Sequence, residues 1–208
     1  MAVFVLALAV LTLLPRSVGA ADGGTGPSRS IASGSTLHGA FVQERRLQGF
    51  KAPLISEGRF TLAPGQGLVW RSEKPFAVTT VITAAGLVQE VDGTETVRMP
   101  AARLPFLAKL YDMLGGALAG DWSALDKEFT VVRQGNDRAW RVELRPRVAA
   151  DPVSMPITTI RLTGGLFVDQ VEIVREGGDS DVLHFADQTL SQAPPSPEET
   201  RLLVGVGR

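Results

Sequence analysis

Residues 140–145 read Trp140-Arg141-Val142-Glu143-Leu144-Arg145, with apolar and charged side chains in strict alternation. On an extended backbone successive side chains leave on opposite faces. This stretch therefore predicts a strand with Trp140, Val142 and Leu144 on a dry face and Arg141, Glu143 and Arg145 on a wet one. The same period recurs on both sides of it. Phe60 and Leu62 alternate with Arg59 and Thr61, Leu68 and Trp70 with Val69 and Arg71, and Ile160 and Leu162 with Thr159 and Arg161. One wet face and one dry face per strand is the pattern of antiparallel sheets.

Turn residues separate these runs at short intervals: Pro64-Gly65-Gln66-Gly67, Asp92-Gly93, Gly135-Asn136-Asp137, Gly164-Gly165 and Gly177-Gly178-Asp179. Such spacing predicts a barrel or a sandwich built of hairpins. One stretch breaks the period. Within 104–118, Leu107, Leu110, Tyr111, Leu114 and Leu118 recur at helical spacing, and Gly115-Gly116 weakens the end of the run. Asp121 can cap a second short helix through Ser123, Ala124 and Leu125. An apolar stripe of this kind must be buried, and the dry concave face of a curved sheet is the partner available to it.

The ends differ in composition from the middle. Residues 2–14 are nearly all apolar and are followed by Pro15-Arg16-Ser17-Val18-Gly19-Ala20. The run is too short to span a bilayer, which takes about 20 residues, and it suits the apolar core of a signal peptide cleaved after Ala20. No Lys or Arg precedes it, so either the start lies upstream or the α-amino group supplies the positive charge. We read 1–20 as a signal peptide, 21–36 as a Gly/Ser-rich linker, 37–192 as one folded domain and 193–208 as a Pro-rich, loosely docked tail.

Composition narrows the chemistry. Of 208 residues, 44% are hydrophobic and 21% charged, as in ordinary globular domains, and the net charge of −1 gives no reason to expect nucleic acid or an anionic membrane surface as partner. With no cysteine, the chain has no disulfide, thiolate nucleophile or Cys-ligated zinc, and no residue for acylation behind the signal. His38 and His184, the two histidines, lie on different predicted strands, so no metal site is expected. The Glu172/Glu176 and Asp179/Asp181 pairs fall at a strand end and a Gly-rich turn, where solvated acids are ordinary. No nucleophile elbow, phosphate-binding loop or dinucleotide fingerprint is present. These readings predict no catalytic residue, no metal and no cofactor. Arg45, Arg46 and Lys51 form a small basic cluster near the first hairpin. It suits either lipid head groups or a transporter, or else a solvated strand edge whose cations discourage aggregation.

An ordered series of short motifs carries a resemblance. Leu37-His38-Gly39-Ala40-Phe41-Val42-Gln43-Glu44-Arg45, with its Phe-x-Gln, resembles the first strand of the periplasmic outer-membrane lipoprotein carrier (LolA-like) family. Pro53-Leu54-Ile55-Ser56-Glu57-Gly58-Arg59-Phe60, Gly67-Leu68-Val69-Trp70, Lys74-Pro75-Phe76 and Ile82-x-x-x-Gly86-Leu87 follow in the family's order, over about residues 37–190. The resemblance implies a curved, unclosed antiparallel half-barrel whose central helices cover an apolar hollow. It also implies a soluble periplasmic protein that takes acylated lipoproteins from an inner-membrane transporter to an outer-membrane acceptor. Two departures mark a divergent branch. The stretch 24–35 is too short and Gly-rich for the family's first helix, and Pro64 stands where the family has an Arg that hydrogen-bonds the lid. Carriers of glycolipid or aryl-polyene lipids are the alternative that this divergence brings in.

The physics of such a task is simple. Exposed acyl chains cost about 0.8 kcal/mol per CH₂ in water, so lipids do not cross an aqueous space unaided. The expected lining is Phe41, Phe60, Leu62, Leu68, Trp70, Phe76, Val78, Trp140, Val142 and Leu144, and the expected lid is Leu107, Leu110, Tyr111, Leu114 and Leu118. The protein is expected to be monomeric. Two other readings stay open: a non-catalytic envelope interaction module with a packed interior, and a lipid-modifying enzyme, which would need a nucleophile or metal not found here.

Overall fold

The computed structural model describes residues 34–103, 129–136, 138–147 and 157–207. The expected lid residues Leu107, Leu110, Tyr111, Leu114 and Leu118, the signal peptide and most of the linker lie outside the described residues. The described residues form one unclosed, curved sheet of 11 antiparallel strands. In chain order these are β1 (Thr36–Arg46), β2 (Leu54–Ala63), β3 (Gly67–Lys74), β4 (Val78–Thr83), β5 (Gly86–Val91), β6 (Thr94–Pro100), β7 (Phe129–Asn136), β8 (Ala139–Pro146), β9 (Ile157–Gly164), β10 (Val168–Arg175) and β11 (Ser180–Ser191). One helix, α1 (Pro197–Gly205), follows.

The strand order is β6-β5-β4-β3-β2-β1-β11-β10-β9-β8-β7. Every neighbouring pair but one is adjacent in sequence, so the sheet is two meanders joined where β1 meets β11. Turn chemistry matches the hairpins. Asp92 and Gly93, both with positive φ (50° and 76°), make the tight β5–β6 turn. Among the described residues, β6 and β7 are the edge strands.

The two faces of the sheet differ. On one, Leu37, Phe41, Phe60, Leu68, Trp70, Trp140, Leu144, Ile160, Val171, Leu183 and Phe185 belong to a single buried cluster. Rings from non-adjacent strands meet there. Phe41 of β1 and Trp70 of β3 stack with centroids 3.7 Å apart, although strands two apart in a flat sheet are separated by about 9–10 Å. Phe41 reaches across Gly58, its partner on β2, which has no side chain to intervene. Side chains that lean together in this way mark the concave face.

The opposite, convex face is divided. On the β7–β11 side it is wet: Arg161 bonds Glu143 (3.0 Å) and Glu172 (2.9 Å), its neighbours on β8 and β10. On the β2–β5 side it is apolar, and Ala63, Val69, Val81 and Val88 are buried beneath Leu203 and Val206. The residues expected as a loosely docked tail thus include a helix that covers this patch. Ser196 caps α1 through a capping box: its Oγ accepts from the Glu199 N–H, and Glu199 Oε2 accepts from the Ser196 N–H. At the other end Arg98 Nη1 donates to the carbonyls of Gly205 (3.1 Å) and Val206 (3.0 Å), which supplies a cation to the negative end of the helix. His38, Thr61, Val69, Val81, Val88 and Arg98 are successive cross-strand partners from β1 to β6, and α1 lies along that row.

Glu199 locks the N-terminal end of α1 to the sheet. Its carboxylate accepts from Thr61 Oγ1 at 2.6 Å and lies 3.3 Å from His38 Nε2. Burial raises its pKa, but the hydrogen bonds from Thr61 and Ser196 and the proximity of His38 outweigh burial and hold it at about 2, below its ordinary 4.5. A carboxyl with a depressed folded pKa gives stability that is complete above the unfolded value and lost as pH falls through the folded one. Glu199→Gln is therefore expected to cost about 1–3 kcal/mol at neutral pH. Urea unfolding of both proteins should show the difference shrinking as pH falls from 4.5 toward 2.

Candidate ligand-binding face

The concave face is built by alternation. In β8, Trp140, Val142 and Leu144 are buried while Arg141 is exposed. In β3, Leu68 and Trp70 face inward and Val69 faces α1. Large rings fit because their cross-strand partners are glycines. A Cβ on Gly39 would lie 2.5 Å from the Phe60 ring, and one on Gly164 would lie 2.7 Å from the Trp140 ring. Phe41, Phe60, Trp70 and Phe185 form an aromatic nest near the β1–β11 junction. Phe60 and Phe185 meet edge to face at 5.4 Å, and Trp70 and Phe185 at 6.2 Å.

Of the expected lining residues, Phe41, Phe60, Leu62, Leu68, Trp70, Trp140, Val142 and Leu144 come together in this one cluster. Val78 is half-buried on the same face of β4, opposite Ser72 and Val91. Phe76 is not brought in: Pro75 ends β3, and Phe76 sits in the turn, 75% exposed. The expectation missed Phe129, Val171, Ile173, Leu183 and Phe185. Their signal was present, since Val171 and Ile173 flank Glu172 and Leu183 and Phe185 flank His184 in the same period.

The two inner tryptophans differ in their polar atoms. Trp140 Nε1 donates to the Gly165 carbonyl at 2.8 Å. Trp70 Nε1 is buried with no hydrogen-bond partner among the described residues. Beside it on the same face, Thr80 of β4 pairs with Trp70, and Gln89 Nε2 of β5 donates to Thr80 Oγ1 at 3.2 Å. The nest thus combines an apolar wall with one unused donor.

The basic cluster near the first hairpin divides between the two faces. Arg45 and Arg46 are consecutive on β1 and point oppositely. Arg46 pairs with Glu44 at the surface, and Lys51 lies exposed in the turn. Arg45 turns inward, and its Nε donates to Asp181 Oδ1 at 2.9 Å. Asp181, expected as a solvated turn acid, is 0% exposed. It also accepts from Gln43 Nε2 at 3.0 Å and forms an ion pair with Arg175. The reason is strand parity: Asp181 is the partner of Ile173 and of Arg45, so it shares the inner face with them. His38 and His184 face outward, one beside Glu199 and the other opposite Val42. Among the described residues no group of three His, Asp or Glu side chains is placed to hold a metal.

Comparison with known proteins gives a family match. The model described as "Outer membrane lipoprotein carrier protein LolA-like" matches residues 28–179. A search of curated proteins finds no match. Among solved structures, a LolA superfamily protein of Nitrosomonas europaea aligns over 83% of this chain and 92% of its own, at 7% identity and a TM-score of 0.41. A chain of the Pseudomonas aeruginosa MucA/MucB complex aligns over 81% of this chain and 56% of its own, at 16% identity and a TM-score of 0.41.

The unpartnered indole makes a prediction. Trp70→Phe keeps a ring in the nest, removes a donor that bonds nothing among the described residues and leaves only a small void, so its unfolding free energy should fall by about 1–2 kcal/mol. Trp70→Ala, which empties the site, should cost about 3–5 kcal/mol. Chemical denaturation of the two variants measures the contrast.

Proposed function

The chain belongs to the LolA-like outer membrane lipoprotein carrier family, and from that premise we propose that it is a non-catalytic periplasmic carrier which shields the acyl chains of a lipoprotein or related lipid and takes them toward the outer membrane. The observation that carries this reading is the buried apolar face that runs through both meanders of a sheet that does not close. A surface of that extent suits hydrocarbon, at about 25 cal/mol for each Å² removed from water. The unused Trp70 N–H fits a carbonyl oxygen of an acyl linkage. The apolar stretch 2–14 serves as the export signal, and the stripe of Leu107, Leu110, Tyr111, Leu114 and Leu118 serves as the cover of the face.

Handing cargo from an inner-membrane transporter to an outer-membrane acceptor needs no chemical energy if each receiver binds more tightly than the last, so this carrier works at moderate affinity. Pro64 lies in the β2–β3 turn and has no side-chain donor. A lid here is held without the arginine that family carriers use, which favours a related lipid, such as a glycolipid or an aryl polyene, as an alternative cargo.

A fluorescent fatty acid tests the proposal. The protein should bind dansyl-undecanoic acid saturably and release it to unlabelled acyl competitors. Met99→Gln, on the half-buried margin of the face, should weaken binding about tenfold, equivalent to about 1.4 kcal/mol of lost apolar contact, while the thermal midpoint stays close to the parent's. Absence of any displaceable binding would overturn the carrier reading in favour of an envelope module with a packed interior.

A further inference from the structure

We infer that the cargo is an anionic amphiphile, whose oxyanion head group is held by Arg45 and Arg175 at the end of the concave face while its chains lie against the aromatic nest. This inference rests on the carrier reading and specifies its ligand.

The argument starts from a charge imbalance. On the inner face, β1, β11 and β10 bring together two guanidiniums, Arg45 and Arg175, one carboxylate, Asp181, and the neutral amide of Gln43. Asp181 is fully buried, and each arginine side chain is only 20% exposed. A buried carboxylate is balanced by one arginine, and Gln43 satisfies it further. The second arginine is a surplus positive charge, largely withdrawn from water. Such a charge is costly to bury unless an anion meets it.

Donor geometry points the same way. Arg45 uses Nε on Asp181, and its terminal nitrogens have no other partner among the described residues. Arg175 is ion-paired through one terminal nitrogen with the other carboxylate oxygen, which accepts no hydrogen bond among the described residues. Asp181 therefore positions both guanidiniums and leaves donors on each. Paired planar forks with free N–H groups are suited to bidentate recognition of phosphate or carboxylate.

Placement then links the charge to the apolar face. Phe41, Gln43 and Arg45 follow one another on the inner side of β1, opposite Gly58, Ser56 and Leu54 of β2. Along that line the surface changes from aromatic through amide to cation within four residues, or about 14 Å of strand. Leu54 at the end of the line is 53% exposed. An oriented amphiphile fits this gradient, with its tails at Phe41 and Trp70 and its anion at the arginines. A neutral lipid leaves the surplus charge unmet.

The probes are tetradecyl phosphate, tetradecyl maltoside and inorganic phosphate, each measured on the whole protein by displacement of dansyl-undecanoic acid and by direct calorimetry. Tetradecyl phosphate is expected to bind at least about tenfold more tightly than the maltoside. Arg45→Gln leaves Asp181 paired with Arg175 and Gln43 and should bring that ratio close to one. Arg45→Lys should restore part of it. Met99→Gln should weaken both amphiphiles alike. Arg175→Gln is the second variant if the first does not fold. On the parent protein alone, the preference should fall as NaCl rises from about 20 mM to about 500 mM. Equal binding of the two amphiphiles by the parent, or a preference that survives both substitutions and high salt, overturns the inference while leaving the carrier reading in place. Inorganic phosphate binding as tightly as tetradecyl phosphate, and lost in Arg45→Gln, overturns it in favour of a free-anion site. Failure of both amphiphiles to bind counts against the carrier reading itself.

Discussion

The pairing of β1 with β11 is the constraint on which the rest of the molecule depends. All other strand pairs are hairpins or neighbours in sequence, which close short loops at small entropic cost. Among the strand ladders, only β1–β11 brings together residues more than a hundred positions apart, from Thr36 opposite Ser191 to Arg46 opposite Ser180. It joins two meanders, neither of which can bury its apolar side unaided. Both ends of the ladder are fixed by polar side chains. At one, Thr36 Oγ1 donates to the Ala193 carbonyl at 2.8 Å. At the other, Asp181 gathers Gln43, Arg45 and Arg175. Between them Phe41 faces Phe185 and Leu37 faces Leu190. A one-residue slip in this register would turn Asp181 toward solvent and bring His184 into the nest. The buried ion cluster is thus a register key as well as a charge.

How the sequence reads follows from which forces are local. Alternation is local, and Trp140-Arg141-Val142-Glu143-Leu144-Arg145 declares its two faces unaided. Eight of the ten residues expected to line the face lie in its buried cluster for that reason. Phe76 was expected in the lining as well, but Pro75 follows the end of β3 and Phe76 falls in the turn beyond it. Arg45 and Arg46 read as one cluster because they are adjacent, whereas parity separates them. Asp181 read as a turn acid because two glycines stand just before Asp179. Its burial is decided by partners on β1 and β10, far away in the chain. Long-range pairing is what the sequence conceals. The helix α1 was legible in part. Ser196-Pro197-Glu198-Glu199 has the form of a capping box with proline at the first turn, but the preceding prolines and the short apolar content favoured reading a tail.

The division of the convex face explains why that helix is needed. Val69, Val81 and Val88 lie on outward positions where the β8–β10 side carries Glu143, Arg161 and Glu172. A valine row exposed on a curved sheet invites association with other sheets or other chains. Helix α1 covers it with Leu203 and Val206 and is pinned at both ends, by Thr61 on Glu199 and by Arg98 on its last carbonyls. The helix therefore belongs to the scaffold. Its cover of the convex side lets the β2–β5 strands present apolar side chains on both faces, so that their inner face can be greasy without an outer face that is wet.

The sheet stops short of closure, and that choice has a cost. Among the described residues β6 and β7 stand at the edges of the sheet, a position closed barrels abolish. On β6 the outer positions bear Glu95 and Arg98, bonded to each other at 2.6 Å, and charge of this kind discourages edge-to-edge pairing. Closing the strands would fix the interior at a width set by strand number and tilt. An open sheet can widen at its edges while its centre, held by the β1–β11 ladder, keeps its register. That asymmetry suits a ligand whose bulk varies and whose polar end does not. The variable part of such a ligand meets a face of interchangeable apolar side chains. In the proposed binding mode its constant part would meet Arg45 and Arg175, which stand on the central strands β1 and β10 and are aimed by one buried carboxylate.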